Sequence, residues 1–205
     1  MNSNPFLASR AWLLMLLEGA ERNGINTIQM EQLHRYIYLA NVLSPVCMLV
    51  MPESYTLKHM RGPYFPKAQW DIGRLILQGF VESKNFKPFS DDNGFWLAAD
   101  FRITKRGILC IKTLAEYSYF REQANYLREF MSACSLIPTQ KINTITQLDF
   151  HYAAASEGEG VKFSEMEGNL SKKAVVLMFP EDRVYTPTEG VHRYINYLDE
   201  VSVSS

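Results

Sequence analysis

The sequence is poor in the residues that build metal and redox centres. It has only three cysteines in 205 residues, Cys47, Cys110 and Cys134, and no two of them stand at the spacing of a zinc site or a dithiol motif. All three lie in apolar surroundings, so we predict small core residues in a reducing compartment. Two of the four scattered histidines lie within helical patterns, which favours structural roles for them.

Long hydrophobic runs are also missing. The apolar stretch at residues 11–17 is far too short to span a bilayer. No positively charged segment precedes it, as a secretory signal would require. We therefore expect a cytoplasmic protein that does not bind a membrane.

The common catalytic and phosphate-binding motifs are absent. There is no glycine-rich phosphate loop, no HExxH, no CxxC pair and no Gly-x-Ser-x-Gly elbow. Four glutamates between residues 157 and 167 do not have the spacing of a calcium or magnesium loop, and we interpret them as a solvated acidic loop. We predict a non-catalytic protein without metal or cofactor. A hydrolase assembled from dispersed residues is a distant alternative.

Charge is unevenly distributed although it nearly cancels to −1. Residues 58–112 contain ten basic and five acidic residues, whereas the remainder contains 11 basic and 17 acidic residues. A basic module in an acidic chain points to contact with a polyanion. Ordinary solvated surface explains so small an excess equally well.

The order of predicted elements is that of a winged helix-turn-helix. Helical apolar spacing predicts helices at residues 8–20 and 29–43, with a short strand at 25–27 between them. Gly62-Pro63 is predicted to form the turn before a third helix, which Gly79 ends because glycine enters the left-handed conformation cheaply. The residues predicted to form the apolar face of this helix are Trp70, Gly73, Ile76 and Leu77. The residues predicted to be mostly buried are Trp70, Leu75, Ile76 and Phe80.

Two strands and a wing follow this third helix. Strands are predicted at residues 80–83 and 95–103, joined by a long polar loop at 85–94. A helix predicted to begin at Thr104 runs to about residue 134. The fold class is therefore α+β and mainly helical, with a winged helix-turn-helix core, a long following helix and a C-terminal extension. The predicted domains are 1–135, the winged-helix domain, and 136–205, a partner-docking extension.

An apolar seam runs along the long predicted helix and suits either the chain's own core or a partner helix. Its members are Leu114, Tyr117, Phe120, Ala124, Leu127, Met131 and Cys134. The candidate partner contacts on the seam are Tyr117, Leu127 and Met131.

The C-terminal half has two predicted elements. The β-branched run at residues 174–179 predicts a strand. Thr186 and Glu189 have the spacing of a capping box, with Pro187 at the first helical position. The apolar stripe of the helix that follows either folds back on the chain or docks in a partner's groove. The candidate partner contacts there are Val191, Tyr194, Ile195 and Leu198.

Seven side chains in and around the basic module are candidates for DNA contact. Asp71 interrupts the predicted recognition face and the wing tip is acidic, so we expect weak, salt-sensitive binding without strong sequence preference. The candidate DNA contacts are Arg61, Lys67, Gln69, Arg74, Lys84, Lys105 and Arg106.

Four segments of the first half carry a family resemblance. They are HRYIYLANVLSP at 34–45, KHMR at 58–61, GPYFP at 62–66 and LILQGFV at 75–81. Over about residues 10–110 the chain resembles the middle-component proteins of bacterial ABC-three-component systems, such as the small third subunit of Lamassu-type defence systems. The same motifs also fit other winged modules, including the antitoxin-like Panacea domain.

The resemblance implies a subunit that works with an SMC-like ATPase dimer and an effector, often a nuclease, against phage or plasmid DNA. The middle-component family has no catalytic residues that could be assigned to this chain, in agreement with the motif search. The leading hypothesis is a winged-helix subunit that bridges the ATPase heads and holds or gates the effector, with DNA touched through the complex. The alternative is a free-standing DNA-binding regulator or antitoxin, which requires a symmetric dimer and a helix that reaches base edges.

Overall fold

The computed structural model describes residues 5–50, 52, 55–59, 61–91, 94–162 and 168–204. The fold is α+β and mainly helical, with two small antiparallel sheets. Short 3-10 helices lie at Ser44–Cys47 and Thr139–Lys141. In chain order the elements are α1 (Pro5–Arg22), β1 (Ile28–Gln29), α2 (Met30–Leu43), β2 (Tyr55–His59), β3 (Gly62–Tyr64), α3 (Pro66–Leu77), β4 (Val81–Asp91), β5 (Gly94–Ile103), α4 (Lys105–Leu114), α5 (Ser118–Ser135), α6 (Ile142–Leu148), α7 (Phe150–Ala154), β6 (Gly160–Lys162), α8 (Leu170–Leu177) and α9 (Pro187–Ser204).

The first sheet has the strand order β1-β5-β4. The predicted first strand lies three residues later than expected, where Ile28 pairs with Phe101. The predicted wing loop at 85–94 is wrong for most of its length, because β4 and β5 stay paired as far as Asp91 and Gly94. Its turn residues are accommodated without a loop, since β4 is an edge strand that tolerates proline and carries a bulge beside Asn85. The tip at 92–93 lies outside the described residues.

The second sheet has the order β3-β2-β6. Gly62 and Pro63, predicted as a turn, instead form part of β3 and pair with His59 and Lys58. Gly62 has a φ of 115°, a conformation in which a side chain would be strained. The sheet therefore delivers the chain directly into Pro66 at the start of α3.

The predicted single helix from 104 to 134 is wrong. The structure has two helices, α4 and α5, separated by residues 115–117. Arg121 donates from its guanidinium to the carbonyl oxygens of Ala115 and Glu116, at 2.8 and 2.7 Å. These bonds satisfy carbonyl groups that the end of α4 leaves without helical partners, and so stabilise the break.

The predicted strand at 174–179 is also wrong, because residues 170–177 form α8. The Asn169 side chain caps this helix by accepting a hydrogen bond from the Lys172 amide at 2.7 Å. Val175 is fully buried on its inner face. A good N-cap and tertiary packing thus override the strand propensity of β-branched residues.

The capping box at the start of α9 is confirmed. Glu189 Oε2 accepts from the Thr186 amide at 2.7 Å, and Thr186 Oγ1 accepts from the Glu189 amide at 3.2 Å. The helix packs on α5, α6 and α8. Its inner residues join the same hydrophobic cluster as α1 and α2, so the chain after residue 135 shares its core with the chain before it.

Candidate functional site

The third helix is attached to α1 by a buried carboxylate. Asp71 is fully buried and its Oδ2 accepts a hydrogen bond from Ser9 Oγ at 2.8 Å. Its Oδ1 accepts from Arg74 Nη1 at 3.0 Å. Asp71 was expected to interrupt the outer face of the helix, and that expectation is wrong because the side chain lies on the inner face. The buried residues of that face are Ala68, Asp71, Ile72 and Leu75.

The opposite face of α3 is open to solvent. Trp70 is 72% exposed and Leu77 is 90% exposed, so the prediction that they pack in the core is wrong. The cause is the phase of the helix: Ala68, Ile72 and Leu75 form a second apolar stripe on the opposite side, about 180° around the helix from Trp70 and Leu77. That second stripe packs against α1. We call the open side, made of Trp70, Gly73, Arg74 and Leu77, the outer face of α3.

Gly73, at the centre of this outer face, differs from the other helical glycines with described surroundings. A Cβ atom on Gly19 would lie 2.9 Å from the Leu127 carbonyl oxygen, and one on Gly107 would lie 2.4 Å from that of Phe80. Close packing therefore requires glycine at both of those positions. A Cβ atom on Gly73 would have no neighbour within 4 Å.

The start of α4 lies against the turn that ends α3. Thr104 Oγ1 donates to the Gly79 carbonyl oxygen at 2.8 Å and accepts from the Gly107 amide at 3.1 Å. The Arg106 guanidinium sits 5.0 Å from the centre of the Phe80 ring. One turn further along α4, Leu109 is 61% exposed.

This part of the surface is basic. Residues 66–80 and 104–115 contain five basic residues and one acidic residue. That acidic residue is the buried Asp71, so it presents no negative charge to solvent. Arg74 lies on the outer face itself, and Lys105 and Arg106 are exposed at the start of α4, which contacts the turn after Leu77.

The seven candidate DNA contacts do not form one cluster. Arg74, Lys105 and Arg106 are exposed near the junction of α3 and α4. Lys84 is exposed on β4, 3.7 Å from a Glu82 carboxylate oxygen. The remaining three, Arg61, Lys67 and Gln69, are half-buried.

Two of the half-buried candidates, Arg61 and Gln69, line a cavity of about 580 Å³ between α2, β3, α3 and β4. The imidazole of His34 lies at its edge, with Nδ1 accepting from the Phe65 amide and Nε2 3.3 Å from Gln69 Oε1. Burial lowers the pKa of His34 to about 4, so the ring is neutral at pH 7. Both ring nitrogens are occupied by hydrogen bonds within the chain, which gives His34 a structural role.

The candidate partner contacts are mostly interior. Tyr117 is 64% exposed, but six of the seven side chains are fully buried. The helix α9 is folded back on the chain's own core. This is one of the two arrangements that the sequence left open for its apolar stripe, the other being docking in a partner's groove. In this fold those six residues are core residues and not surface contacts, which corrects their assignment. They are Leu127, Met131, Val191, Tyr194, Ile195 and Leu198.

Sequence reasoning missed a buried hydrogen-bonded cluster around Asp149. This fully buried carboxylate accepts from the hydroxyl groups of Tyr38, Tyr194 and Ser171, the last two at 2.7 Å. It also caps α7 through the amides of His151 and Tyr152. Burial and the neighbouring Asp149 raise the pKa of both tyrosines, Tyr38 and Tyr194. The cluster joins α2, α7, α8 and α9. The one local sequence signal for it was Asp149 at a position suited to an N-cap.

Over the residues described, no group of three or more His, Cys, Asp or Glu side chains is placed to hold a metal ion. Across the same residues no helix combines the length and the apolar character needed to cross a membrane. The three cysteines are free, and burial raises the pKa of Cys47 to about 11. Comparisons with protein-family models, with curated proteins and with solved structures found no match.

Proposed function

We propose that this chain is a non-catalytic winged-helix subunit of an SMC-like ATPase complex that defends the cell against phage or plasmid DNA. In this proposal the chain bridges the ATPase heads and holds or gates an effector, such as a nuclease. The resemblance of residues 34–45, 58–66 and 75–81 to middle-component proteins supplies the identity of the partners.

The observation that carries the proposal is the arrangement of the first half of the chain. A short strand follows the first helix, the helices α2 and α3 come next with the β2–β3 hairpin between them, and the β4–β5 hairpin closes the sheet in the order β1-β5-β4. A winged helix-turn-helix has the same order of three helices and a closing hairpin, and its third helix meets the ligand, so this order supports the proposal. The exposed outer face of α3 fits that role, because it leaves Trp70 and Leu77 without a covering element.

A second candidate function is a free-standing DNA-binding regulator or antitoxin. The observation in its favour is the basic character of the surface around α3 and the start of α4, where Arg74, Lys105 and Arg106 are exposed. Phosphate neutralisation by so few cations supports weak, salt-sensitive binding. A regulator would instead require tight binding to one sequence.

Co-expression with the products of the neighbouring genes tests the proposal. The tagged chain is expected to co-purify with a large coiled-coil ATPase and an effector. Deleting the chain is expected to abolish resistance to phage or plasmids. A chain that elutes apart from such an ATPase would contradict the proposal. Nanomolar binding to one short duplex in physiological salt would support the regulator instead.

A further inference from the structure

We infer that the outer face of α3 is a docking notch for an acidic amphipathic helix of a partner protein. The inference rests on the proposed function, since it takes a protein partner as given. It adds the place on this chain where that partner binds and the chemistry that the partner's segment must have.

Gly73 is the first reason. Glycine within a helix is less stable than alanine, and at Gly73 neither a positive φ nor a close neighbour requires it. The fold alone therefore does not account for this glycine. A position without a side chain lets the backbone of a second element approach closely, which is the other common use of glycine.

Trp70 and Leu77, on either side of Gly73, form the two sides of the notch. Trp70 is three residues before Gly73 and Leu77 four residues after it, so all three lie on one side of the helix. Trp70 and Leu77 are separated by about 10 Å along the axis, two helical turns. That spacing matches the apolar stripe of an amphipathic helix, whose anchors recur every three to four residues.

Charge defines the partner's polar side. The Arg74 side chain is half exposed even though it contacts Asp71, and Lys105 and Arg106 are exposed at the adjoining start of α4. No exposed acidic side chain lies in residues 66–80 or 104–115 to oppose them. A segment with carboxylates flanking its apolar stripe complements this face, whereas a basic segment would be repelled.

The same features favour protein over DNA as the occupant. Contacts to a nucleic-acid backbone are made mainly by hydrogen-bond donors, and Leu77 offers none. Trp70 and Leu77 would face phosphates with apolar surface, a pairing that leaves the apolar area without a partner.

Photo-crosslinking in the full chain tests the inference. The crosslinker is placed by the substitution Leu77→p-benzoylphenylalanine, and Leu136→p-benzoylphenylalanine is the control at another exposed leucine on the surface. Mass spectrometry then identifies the captured segment. We expect capture at position 77, and not at 136, of a segment with net negative charge and apolar residues at helical spacing.

The affinity of a synthetic peptide of that captured segment decides whether the notch binds it. Trp70→Ala and Gly73→Leu are each expected to weaken binding at least tenfold, while Gly73→Ala is expected to have a smaller effect. Arg74→Glu is expected to weaken binding too, and replacing a peptide glutamate by arginine should restore it.

The outcomes separate the two proposals. If the ATPase complex forms but position 77 captures DNA or no protein, the docking notch is refuted and the proposed function stands. If position 77 captures an acidic helix from a different class of protein, with the expected losses of affinity, the proposed function fails and the notch stands. If neither a complex nor a captured protein is found, both are refuted.

Discussion

Removing the carboxylate of Asp149 is the most demanding test of how the C-terminal helices are held. Asp149→Ala leaves three buried hydroxyl groups without their acceptor, those of Tyr38, Ser171 and Tyr194, and removes the cap of α7. A buried polar group that loses its partner costs about 1–3 kcal/mol. Loss of an N-cap costs about 1 kcal/mol more.

These costs are partly offset, because the variant no longer buries a charged group. The expected loss is therefore on the order of 4 kcal/mol, a large part of the roughly 5–15 kcal/mol that stabilises a typical protein. Tyr194→Phe removes a single hydrogen bond to the same carboxylate and should cost about 1–2 kcal/mol.

Chemical denaturation at pH 7 measures these differences in the free energy of unfolding. Tyr117→Phe is the matched control, because Tyr117 is exposed and should change stability by less than about 0.5 kcal/mol. An Asp149→Ala variant within about 1 kcal/mol of the wild type would refute the cluster as a stabilising element.

Four further outcomes follow from the same contacts. Trp70→Ala should change stability by less than about 0.5 kcal/mol, since the side chain is largely exposed; a cost of about 3 kcal/mol or more in denaturation would mean that it is core. Gly73→Ala should raise the free energy of unfolding by about 0.5–1 kcal/mol, and a lower melting temperature would contradict the empty site at its Cβ. Burial lowers the pKa of His34 to about 4, so the stabilisation that the neutral ring provides is complete above pH 6.5 and is lost as the pH falls towards 4. Denaturation at pH 7 and pH 4 should therefore show that the wild type loses about 3 kcal/mol of unfolding free energy that the His34→Asn variant does not lose. The double variant Tyr194→Asp, Leu198→Asp should unfold the chain, as read by circular dichroism, rather than release a partner from a folded one.

Much of the secondary structure follows from local sequence signals. The helices α1, α2 and α9 lie where apolar periodicity and caps predict them, and Gly79 has the positive φ expected after α3. The strand β5 also lies where it was expected, whereas β4 begins where it was expected and continues well past the predicted end at residue 83, to Asp91. These features depend on residues close together in the chain, so the sequence alone is sufficient for them.

The orientation of α3 did not follow from the sequence, for a physical reason. Its residues form two apolar stripes, one through Ala68 and Leu75 and one through Trp70 and Leu77. Periodicity identifies both but cannot decide which one meets α1. The decision comes from long-range contacts, among them the hydrogen bond between Ser9 and Asp71.

The cluster around Asp149 shows the same limit. Its hydroxyl partners are 111, 45 and 22 residues away in the chain. No local pattern connects Tyr38 with Tyr194, so only the folded chain brings them to one carboxylate. The burial of the α9 stripe depends on the same packing, which is why its use as a partner contact was open at the level of sequence.

The central claim is that this chain works as a protein-binding subunit of an SMC-like complex. Native mass spectrometry of the tagged chain, purified from its own cells in physiological salt, tests that claim most directly. The expected result is one assembly that contains this chain, two copies of an SMC-like ATPase and an effector. A chain that is found only alone, or as a symmetric dimer on a short DNA duplex, would contradict it.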